Sequence, residues 1–187
     1  MDNSKQIIRA VETIKNGGII LYPTETVIGL GCLATNEFAI EKLNKIKSRP
    51  KDKSFIVLVD SIKMILNFCP KINQKEIDLL HQSIPTTVVL NKIENLPKTL
   101  LFKDGSLAFR ITKHPVINSL ISSINQPIVS TSANISGEPT IKSLKNVNPV
   151  VLEQVDYALN LQSDFISTQQ PSQIVKVVNG VIIYIRR

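Results

Sequence analysis

The chain has 187 residues, 43% of them hydrophobic, which is enough for one buried core, so we predict a single domain over residues 1–187. Its longest apolar runs, 55–59 and 181–185, are too short to cross a bilayer, and the N-terminal segment carries no secretory signal. These features predict a cytoplasmic protein without membrane contact. The formal net charge of +7 suits an anionic partner, either nucleotide phosphates or RNA, and is equally typical of a lysine-rich surface.

The cysteines and histidines argue against a metal site. Cys32 and Cys69 lack the spacing of metal ligands, and two unpaired thiols fit a reducing compartment. Neither His81 nor His114 belongs to a ligand pattern or to a Ser-His-Asp arrangement. We therefore expect no metal ligated by protein side chains and no catalytic triad.

The first half of the chain mixes helical and strand patterns. Ser4 and Asn36 can cap two helices, because short polar side chains accept hydrogen bonds from the first-turn N–H groups, and Gly17-Gly18 ends the first of them. The hydrophobic periodicity predicts helices over 4–16, 36–46, 61–68 and 73–82, and strands over 19–22, 29–34, 54–59 and 87–91.

The second half continues the mixed pattern. A strand over 106–111 precedes a helix that starts at His114-Pro115, and a strand over 127–130 opens into a loop, 131–140, before one or two short helices. Strands at 174–178 and 181–186 flank Asn179-Gly180, the strongest hairpin signal in the chain. Without strict alternation of strands and helices, we predict an α/β (mixed α+β) fold, a single twisted mixed sheet with flanking helices.

Polar segments placed next to short strands predict a small-molecule site. We expect segments 23–26, 47–53, 130–140 and 171–173 to follow strands and meet at one rim. The segment from Lys47 to Lys53 concentrates cations that suit a polyphosphate, although a solvated turn has the same composition. Ser130-Thr-Ser-Ala-Asn134 offers neutral donors for phosphate oxygens, although an ordinary turn would use the same residues for local hydrogen bonds.

One nucleotide-binding pattern is a false match. Gly29-Leu-Gly31-Cys-Leu-Ala34 fits the dinucleotide fingerprint, in which glycines form the turn between a strand and its helix. Here the glycines lie inside a predicted strand, and the chain has no G-x-x-x-x-G-K-[ST] loop. Any ATP site must therefore have another architecture.

At these residues the chain resembles the YrdC-like family of threonylcarbamoyl-AMP synthases, in its short bacterial form. Each matching piece is weak alone, and their specificity comes from order and spacing across nearly the whole chain. The pieces are Tyr22-Pro-Thr-Glu-Thr26 with Gly29-Leu-Gly31, Lys47-Ser-Arg49 with Lys53, Ser106-Leu-Ala-Phe-Arg110 with His114-Pro115, Ser132-Ala-Asn134 with Ser136-Gly137, Pro171-Ser172-Gln-Ile-Val175, and Ile185-Arg186.

The resemblance implies a basic cavity in which L-threonine, bicarbonate and ATP become threonylcarbamoyl-AMP and pyrophosphate. The product would pass to tRNA threonylcarbamoyl transferase proteins for modification of tRNA position 37, and direct RNA contact is possible. The implied threonine-binding residues are Thr26, Arg110, Ser130 and Ser172. The implied ATP-binding residues are Lys47, Arg49, Lys53, Ser106, Ser132, Asn134, Thr140 and Arg186, with Lys47, Arg49, Ser132 and Asn134 also catalytic. Mg²⁺ would be held by the phosphates.

Two positions depart from the family pattern. Many members have histidine where this chain has Leu58, so that threonine contact must be supplied otherwise. The segment that often reads Pro-Gly-Pro-x-Thr is here Pro85-Thr86-Thr87, which leaves its role at the site open.

Two rival functions share the same motifs. A non-catalytic module for double-stranded RNA or ribosome maturation would use the same basic cavity, but it gives the threonine-side residues no purpose. A domain that forms another carbamoyl-adenylate is the second alternative, although such domains usually belong to much larger chains.

Overall fold

The computed structural model describes residues 3–48, 55–135, 137–141, 143–160, 168 and 170–187. The helices are α1 (Asn3–Lys15), α2 (Glu37–Lys47), α3 (Ile62–Leu66), α4 (Gln74–His81), α5 (Pro115–Ile124) and α6 (Pro149–Leu152), with short 3-10 helices at Lys98–Leu100 and Leu144–Asn146. The strands are β1 (Ile20–Tyr22), β2 (Gly29–Leu33), β3 (Ile56–Val59), β4 (Thr86–Leu90), β5 (Leu107–Ile111), β6 (Ile128–Ser132), β7 (Tyr157–Ala158), β8 (Gln173–Val178) and β9 (Val181–Arg186). None of the described helices is long and apolar enough to span a membrane.

Local sequence signals explain most helix ends. The side chain of Asn36 accepts from the N–H of Ala39 and caps α2, as predicted. Pro115 occupies the first turn of α5, where its missing N–H costs nothing. The prediction that Ser4 caps the first helix is wrong, because α1 already begins at Asn3. A full capping box at Asn73 and Glu76 starts α4.

The strands form one nine-stranded sheet in the order β7-β1-β2-β6-β3-β5-β4-β8-β9. Parallel pairs join β1 with β7, β3 with β5 and β4 with β8, whereas the remaining neighbours are antiparallel, which confirms the predicted mixed sheet. β6 is longer than predicted. Thr131 and Ser132, expected in a loop, pair with Leu30 and Gly29 of β2, so partner strands extend β6 beyond its apolar run.

The register of the central strands separates a polar face from an apolar face. Ser130 lies opposite both Gly31 and Ile56, and Arg110 lies opposite Leu58. Because paired residues share a face and neighbours alternate, these serine, glycine and arginine positions face the same side. The opposite face is apolar, fully buried and part of the core, and it includes Leu30, Val57, Val88, Phe109 and Val129.

Helices cover the strands of this core. α2 contacts β2, α5 contacts β3, and α4 contacts β4 and β5. Ile40 and Leu43 of α2 and Ile117 of α5 are completely buried in the same apolar cluster as the strand residues. This packing anchors the sheet and leaves its polar face for a site.

The C-terminal hairpin forms at the predicted position. Asn179 and Gly180 have φ values of 50° and 76°, the left-handed pair that a two-residue turn between twisted strands requires. At the end of the sheet, β9 pairs with β8 alone among the described strands, and its Arg186 lies opposite Ile174. The hairpin therefore returns a C-terminal arginine to the polar face.

Candidate functional site

A cavity of about 180 Å³ opens on the polar face of the sheet. It gathers hydroxyl groups and two arginines, and no carboxylate is among its described lining residues. The lining residues are Thr24, Thr26, Val27, Gly29, Ile56, Arg110, Ser130, Thr131, Ser132, Thr140, Pro171, Ser172, Ile174 and Arg186. The basic cavity that the resemblance implied is therefore present.

Three of the four expected polar segments, 23–26, 130–140 and 171–173, contribute residues to the cavity lining, and segment 23–26 follows β1 as expected. Ser130 and Arg110 project from within β6 and β5, and Pro171 and Ser172 precede β8. The expectation that each polar segment follows a strand is therefore wrong for Ser130 and for Pro171 and Ser172, because the site also uses the face of the sheet, on which Arg110 lies within its predicted strand. Arg49 and Lys53, predicted to bind ATP, lie outside the described residues.

A buried ion pair orients Arg110. Its Nε atom lies 3.1 Å from Oε1 of Glu25, and their side chains are 6% and 4% exposed. Neither atom has an aligned hydrogen bond among the described residues, so the contact is ionic. The hydroxyl of Thr112 donates to the other oxygen of Glu25 over 2.9 Å. The sequence interpretation assigned Glu25 no role, although it lies inside the Tyr22–Thr26 motif.

The hydroxyl of Ser130 receives a hydrogen bond from below the cavity. The phenol of Tyr22, which is completely buried, donates to Ser130 Oγ over 2.8 Å. Burial is the main influence that raises the pKa of Tyr22 above its ordinary value, so the phenol keeps its proton. A Cβ atom at Gly31 would lie 2.8 Å from this phenol oxygen and 2.5 Å from the carbonyl oxygen of Val129. The glycine in β2 therefore makes room for the tyrosine.

A compact turn after β1 presents Thr26. The hydroxyl of Thr24 donates to the carbonyl oxygen of Val27 over 2.8 Å and accepts from the N–H groups of Thr26 and Val27. The two threonine hydroxyl oxygens are also 2.8 Å apart. Both threonines are nearly completely buried and line the cavity.

Ser172, which belongs to the predicted threonine side of the site, contacts Arg186, which belongs to the predicted ATP side. Its hydroxyl lies 2.8 Å from that of Thr87, and its carbonyl oxygen accepts from Nε and Nη2 of Arg186 over 3.0 and 2.8 Å. The pKa of Arg186 is lowered, mainly by the partial burial of its guanidinium and secondly by the nearby positive charge of Arg110. The unusual Pro85–Thr87 segment thus contributes a buried hydroxyl that holds Ser172.

Lys47 and Asn134 lie beside the cavity and not among its lining residues. The Lys47 ammonium donates to the carbonyl oxygens of Ser132 (2.6 Å) and Asn134, and its side chain is buried. The Asn134 amide donates to the carbonyl oxygens of Ile135 and Glu138 over 2.9 and 2.6 Å. These contacts connect the C-terminal end of α2 to the loop that follows β6, next to the predicted ATP-side residues Ser132 and Thr140.

Ser106 is also absent from the cavity lining. Its hydroxyl and N–H both bond to Oδ1 of Asp104, over 2.5 and 3.0 Å, and Oδ2 of Asp104 pairs with Lys176 at 2.7 Å. These hydrogen bonds, with that from Lys176 the strongest, hold the pKa of Asp104 well below its usual range. An ATP contact for Ser106 stays a prediction.

Two sequence interpretations concern the cavity face directly. Gly29 and Gly31 lie within β2, which confirms that the dinucleotide fingerprint is a false match. Leu58 is completely buried on β3, opposite Arg110 of β5, so it contributes packing and no polar group at this position. Among the described residues, no group of three or more His, Cys, Asp or Glu side chains is placed to hold a metal ion.

Comparison with known proteins agrees with this geometry. A family model described as Sua5_yciO_yrdC, telomere recombination, matches residues 12–187. The chain belongs to this family. A curated Sua5/YciO/YrdC relative from Pseudoalteromonas translucida (strain TAC 125), named threonylcarbamoyl-AMP synthase, is 33% identical over 186 residues, which cover 97% of this chain and 98% of the relative.

Solved structures of the Sua5/YciO/YrdC family share the fold. Two structures of P. abyssi Sua5, one of them complexed with L-threonine, are each 27% identical, with TM-scores of 0.87 and 0.86. Each alignment covers all of this chain, but only 57% and 54% of those longer chains. E. coli YciO has a TM-score of 0.83 at 21% identity over 98% of this chain and 89% of its own, which shows the fold alone.

Proposed function

We propose that this chain is an L-threonylcarbamoyladenylate synthase, which converts L-threonine, bicarbonate and ATP to threonylcarbamoyl-AMP and pyrophosphate. The observation that supports the proposal is that one cavity is lined by residues from both the predicted threonine side and the predicted ATP side. Arg110, Ser130 and Ser172 belong to the predicted threonine side, and Thr140 and Arg186 belong to the ATP side. The name of the full-length relative from Pseudoalteromonas translucida and the threonine complex of P. abyssi Sua5 support the same activity.

The cavity size supports threonine as its enclosed ligand. About 180 Å³ is smaller than the roughly 300–1,000 Å³ typical of sites for drug-sized ligands, and it suits an amino acid. The guanidinium of Arg110 can meet both oxygens of the threonine carboxylate. Thr26, Ser130 and Ser172 supply the neutral contacts of the amino acid.

ATP would extend from this cavity along the loop after β6. Ser132 and Thr140 reach the cavity from that side, Arg186 reaches it from β9, and Lys47 and Asn134 fix the loop beside it. Lys47 and Arg49 would have catalytic roles, together with Ser132 and Asn134. Lys53 and Ser106 complete the proposed ATP contacts. Mg²⁺ would enter with the nucleotide and be held by its phosphates, because the described cavity lining provides no carboxylate.

The reaction requires that the substrates be held in position, and it does not require a nucleophilic side chain of the protein. The threonine amine adds to carbon dioxide derived from bicarbonate, and a carbamate oxygen then attacks the α-phosphate as pyrophosphate leaves. The net transfer of AMP makes the enzyme a nucleotidyltransferase. Holding the carbamate in line with the phosphate and neutralising the growing negative charge accelerate such a step. The buried guanidinium of Arg110, the guanidinium of Arg186 and the hydroxyls that line the cavity can supply both requirements.

The product would serve modification of tRNA position 37. Threonylcarbamoyl-AMP carries an activated carbonyl group, so a tRNA threonylcarbamoyl transferase protein would be its acceptor. Direct contact with RNA remains a prediction that rests on the net charge, and a cytoplasmic location remains a prediction.

Mass spectrometry of a reaction with ATP, L-threonine and bicarbonate tests the function. We expect threonylcarbamoyl-AMP and equimolar pyrophosphate, with both absent when either threonine or bicarbonate is omitted. Arg110→Ala should abolish threonine-dependent release, whereas Arg9→Ala, which removes an exposed arginine of α1, should not. Pyrophosphate release that ignores threonine would refute the substrate, and RNA binding without any release would favour the non-catalytic module.

A further inference from the structure

We propose that β9 forms the contact between two copies of this chain, which pair their edge strands antiparallel around Ile183. This inference concerns the edge of the sheet and does not depend on the proposed function. Among the described strands, β8 is the one neighbour of β9, so the outer edge of β9 has no described strand beside it. Such an edge offers its main-chain N–H and C=O groups to another strand.

The side chains of β9 are apolar and exposed. The four most exposed are Val181 (63%), Ile183 (46%), Tyr184 (45%) and Ile185 (59%), whereas no other described strand has more than one exposed large hydrophobic residue. Natural edge strands are commonly protected by charged residues, by proline or by a bulge. Residues 177–185 include no charged residue and no proline, and the register shift between β8 and β9 lies beyond Tyr184. Residues 181–184 are therefore a regular apolar edge.

The turn of the hairpin determines which main-chain groups of β9 point outward. Because Asn179-Gly180 is a two-residue turn, the flanking residues Val178 and Val181 form a hydrogen-bonded pair. Such pairs alternate with non-hydrogen-bonded pairs along an antiparallel ladder. The N–H and C=O groups of Ile183 therefore point to β8, whereas those of Ile182 and Tyr184 point away from it. The outer edge thus offers two donors and two acceptors.

A twofold axis at Ile183 would use all four of these groups. Ile182 of each copy would lie opposite Tyr184 of the other copy, and each of these two pairs would exchange two hydrogen bonds. Ile183 would face its own copy in a non-hydrogen-bonded pair, in which the side chains approach most closely. Because the same surface is used on both copies, the contact closes as a dimer.

The charge pattern favours a second copy as the occupant of this edge. The chain has a net charge of +7, so two copies repel each other over most of their surfaces, but residues 177–185 carry no charge. In the proposed register Arg186 lies opposite Gly180 of the second copy, and not opposite another cation. Lys75 donates to the carbonyl oxygen of Gly180 from α4, which packs on the apolar face of the sheet, away from the cavity face of Arg186. The edge needs an apolar strand, which β9 itself supplies.

The contact is small, so the dimer should be weak. Stable protein interfaces bury roughly 1,200–2,000 Å² in total, and the pairing of one short strand with its copy buries less. We therefore expect a dissociation constant in the micromolar range. Because the apolar strands bring together two copies with the same net charge, higher salt concentration should strengthen the dimer.

Sedimentation velocity of the wild type and of Ile183→Glu tests the dimer. The wild type should shift from monomer toward dimer as its concentration rises from micromolar to millimolar, whereas Ile183→Glu should stay monomeric. A glutamate at this position would lie opposite Lys176 of its own chain, which the monomer tolerates, but in the dimer it would face a second glutamate. Ile8→Glu is the control, because Ile8 is similarly exposed (57%) and α1 contacts β7, β1 and β2 at the opposite end of the sheet. It should dimerise like the wild type.

Cysteine cross-linking tests the register. Under mild oxidation Ile183→Cys should form a disulfide-linked dimer, because residue 183 meets its own copy, whereas the natural Cys32 and Cys69 are buried. Val181→Cys is the matched control, with a more exposed position on the same strand. Its thiol would lie about 13 Å along the strand from its own copy, beyond the roughly 7 Å between Cα atoms that a disulfide can span. It should therefore cross-link about tenfold more slowly.

The results decide the proposal in either direction. A wild type that stays monomeric up to millimolar concentration would overturn the dimer and leave the edge to a different protein. A dimer that survives Ile183→Glu, or equal cross-linking at positions 181 and 183, would show that β9 does not pair around Ile183. Thermal unfolding reports whether each variant is folded, and the cross-linking rates decide the proposal if Ile183→Glu is not.

Discussion

Glu25 and Arg110 form an ion pair in the floor of the cavity, with Oε1 and Nε 3.1 Å apart and both side chains almost inaccessible to water. They come from different segments, the turn after β1 and the middle of β5. A buried ion pair need not make a fold more stable than apolar residues in the same place would. Removal of one partner is nevertheless destabilising, because it leaves the other charge buried and unpaired. The pair therefore ties the orientation of the proposed carboxylate-binding arginine to a single acidic residue.

We expect Glu25→Gln to weaken both the fold and threonine binding. An unpaired buried arginine should lower the free energy of unfolding by about 3 kcal/mol, and a reoriented guanidinium should raise the threonine KM about tenfold. Urea denaturation and pyrophosphate-release kinetics measure the two effects. Glu41→Gln, at an exposed position of α2, is the control. An unchanged threonine KM would contradict an orienting role for Glu25.

We expect Thr87→Val to impair threonine use because it removes the hydroxyl that lies 2.8 Å from Ser172 Oγ. Loss of one buried hydrogen bond corresponds to about 1 kcal/mol, or roughly a fivefold rise in the threonine KM. Thr86→Val is the matched control, because the side chain of Thr86 points to the other face of β4. Its hydroxyl donates to the carbonyl oxygen of Ile84 and accepts from the amide of Gln173. Equal effects of the two variants would show general damage to the strand.

Arg186→Lys should raise the ATP KM more than the threonine KM. Lysine cannot reproduce the two N–H bonds from Arg186 to the carbonyl oxygen of Ser172, so the cation would lose its fixed position. We expect roughly a tenfold loss of ATP affinity, measured by calorimetry with a non-hydrolysable analogue. Arg187→Lys is the control, since Arg187 is exposed and stacks on Tyr184. Wild-type ATP affinity in Arg186→Lys would remove Arg186 from the proposed ATP site.

Acid should destabilise the fold through His114. Burial lowers its pKa below the ordinary value of 6.5 and outweighs the attraction of Glu25. The unfolded chain therefore binds the proton more readily, so the contribution to stability is complete above about pH 6.5 and declines as the pH falls below that value. His114→Gln should flatten this part of the stability profile in urea titrations between about pH 5 and 7, an interval set by the ordinary histidine pKa. His81→Gln, at an exposed position, should leave the slope intact.

Local patterns predicted most of the elements, although not the two-residue strand β7, and they did not predict the contacts among the elements. Asn36 capped its helix and Asn179-Gly180 formed its hairpin because both signals act within a few residues. The contact between Thr87 and Ser172 spans 85 positions, and no periodicity reports it. The extension of β6 to Ser132 likewise depends on pairing with β2, which outweighs the loop-forming tendency of serine and threonine.

The sequence named part of the cavity lining but not its arrangement, and the binding roles of these residues stay predictions. Family resemblance named Arg110, Ser130, Ser172 and Arg186, which now share one cavity. It could not name Glu25, whose contact with Arg110 requires the strand order of the sheet. Side-chain roles of this kind depend on distances across strands, which the linear sequence does not contain.

Gly29 of β2 lines the cavity with main chain alone, and Gly31 lies two residues further along the same strand. Most pockets can be reshaped by exchanging one side chain for another, but here any replacement only adds atoms, and a Cβ at Gly31 would meet the carbonyl oxygen of Val129 at 2.5 Å. We therefore expect a wider substrate range to arise from substitutions in the other wall of the cavity, which includes Ile56 and Ile174. This holds for natural variation and for engineering alike. Exchange of these isoleucines for smaller residues would admit bulkier amino acids, whereas β2 can only restrict them.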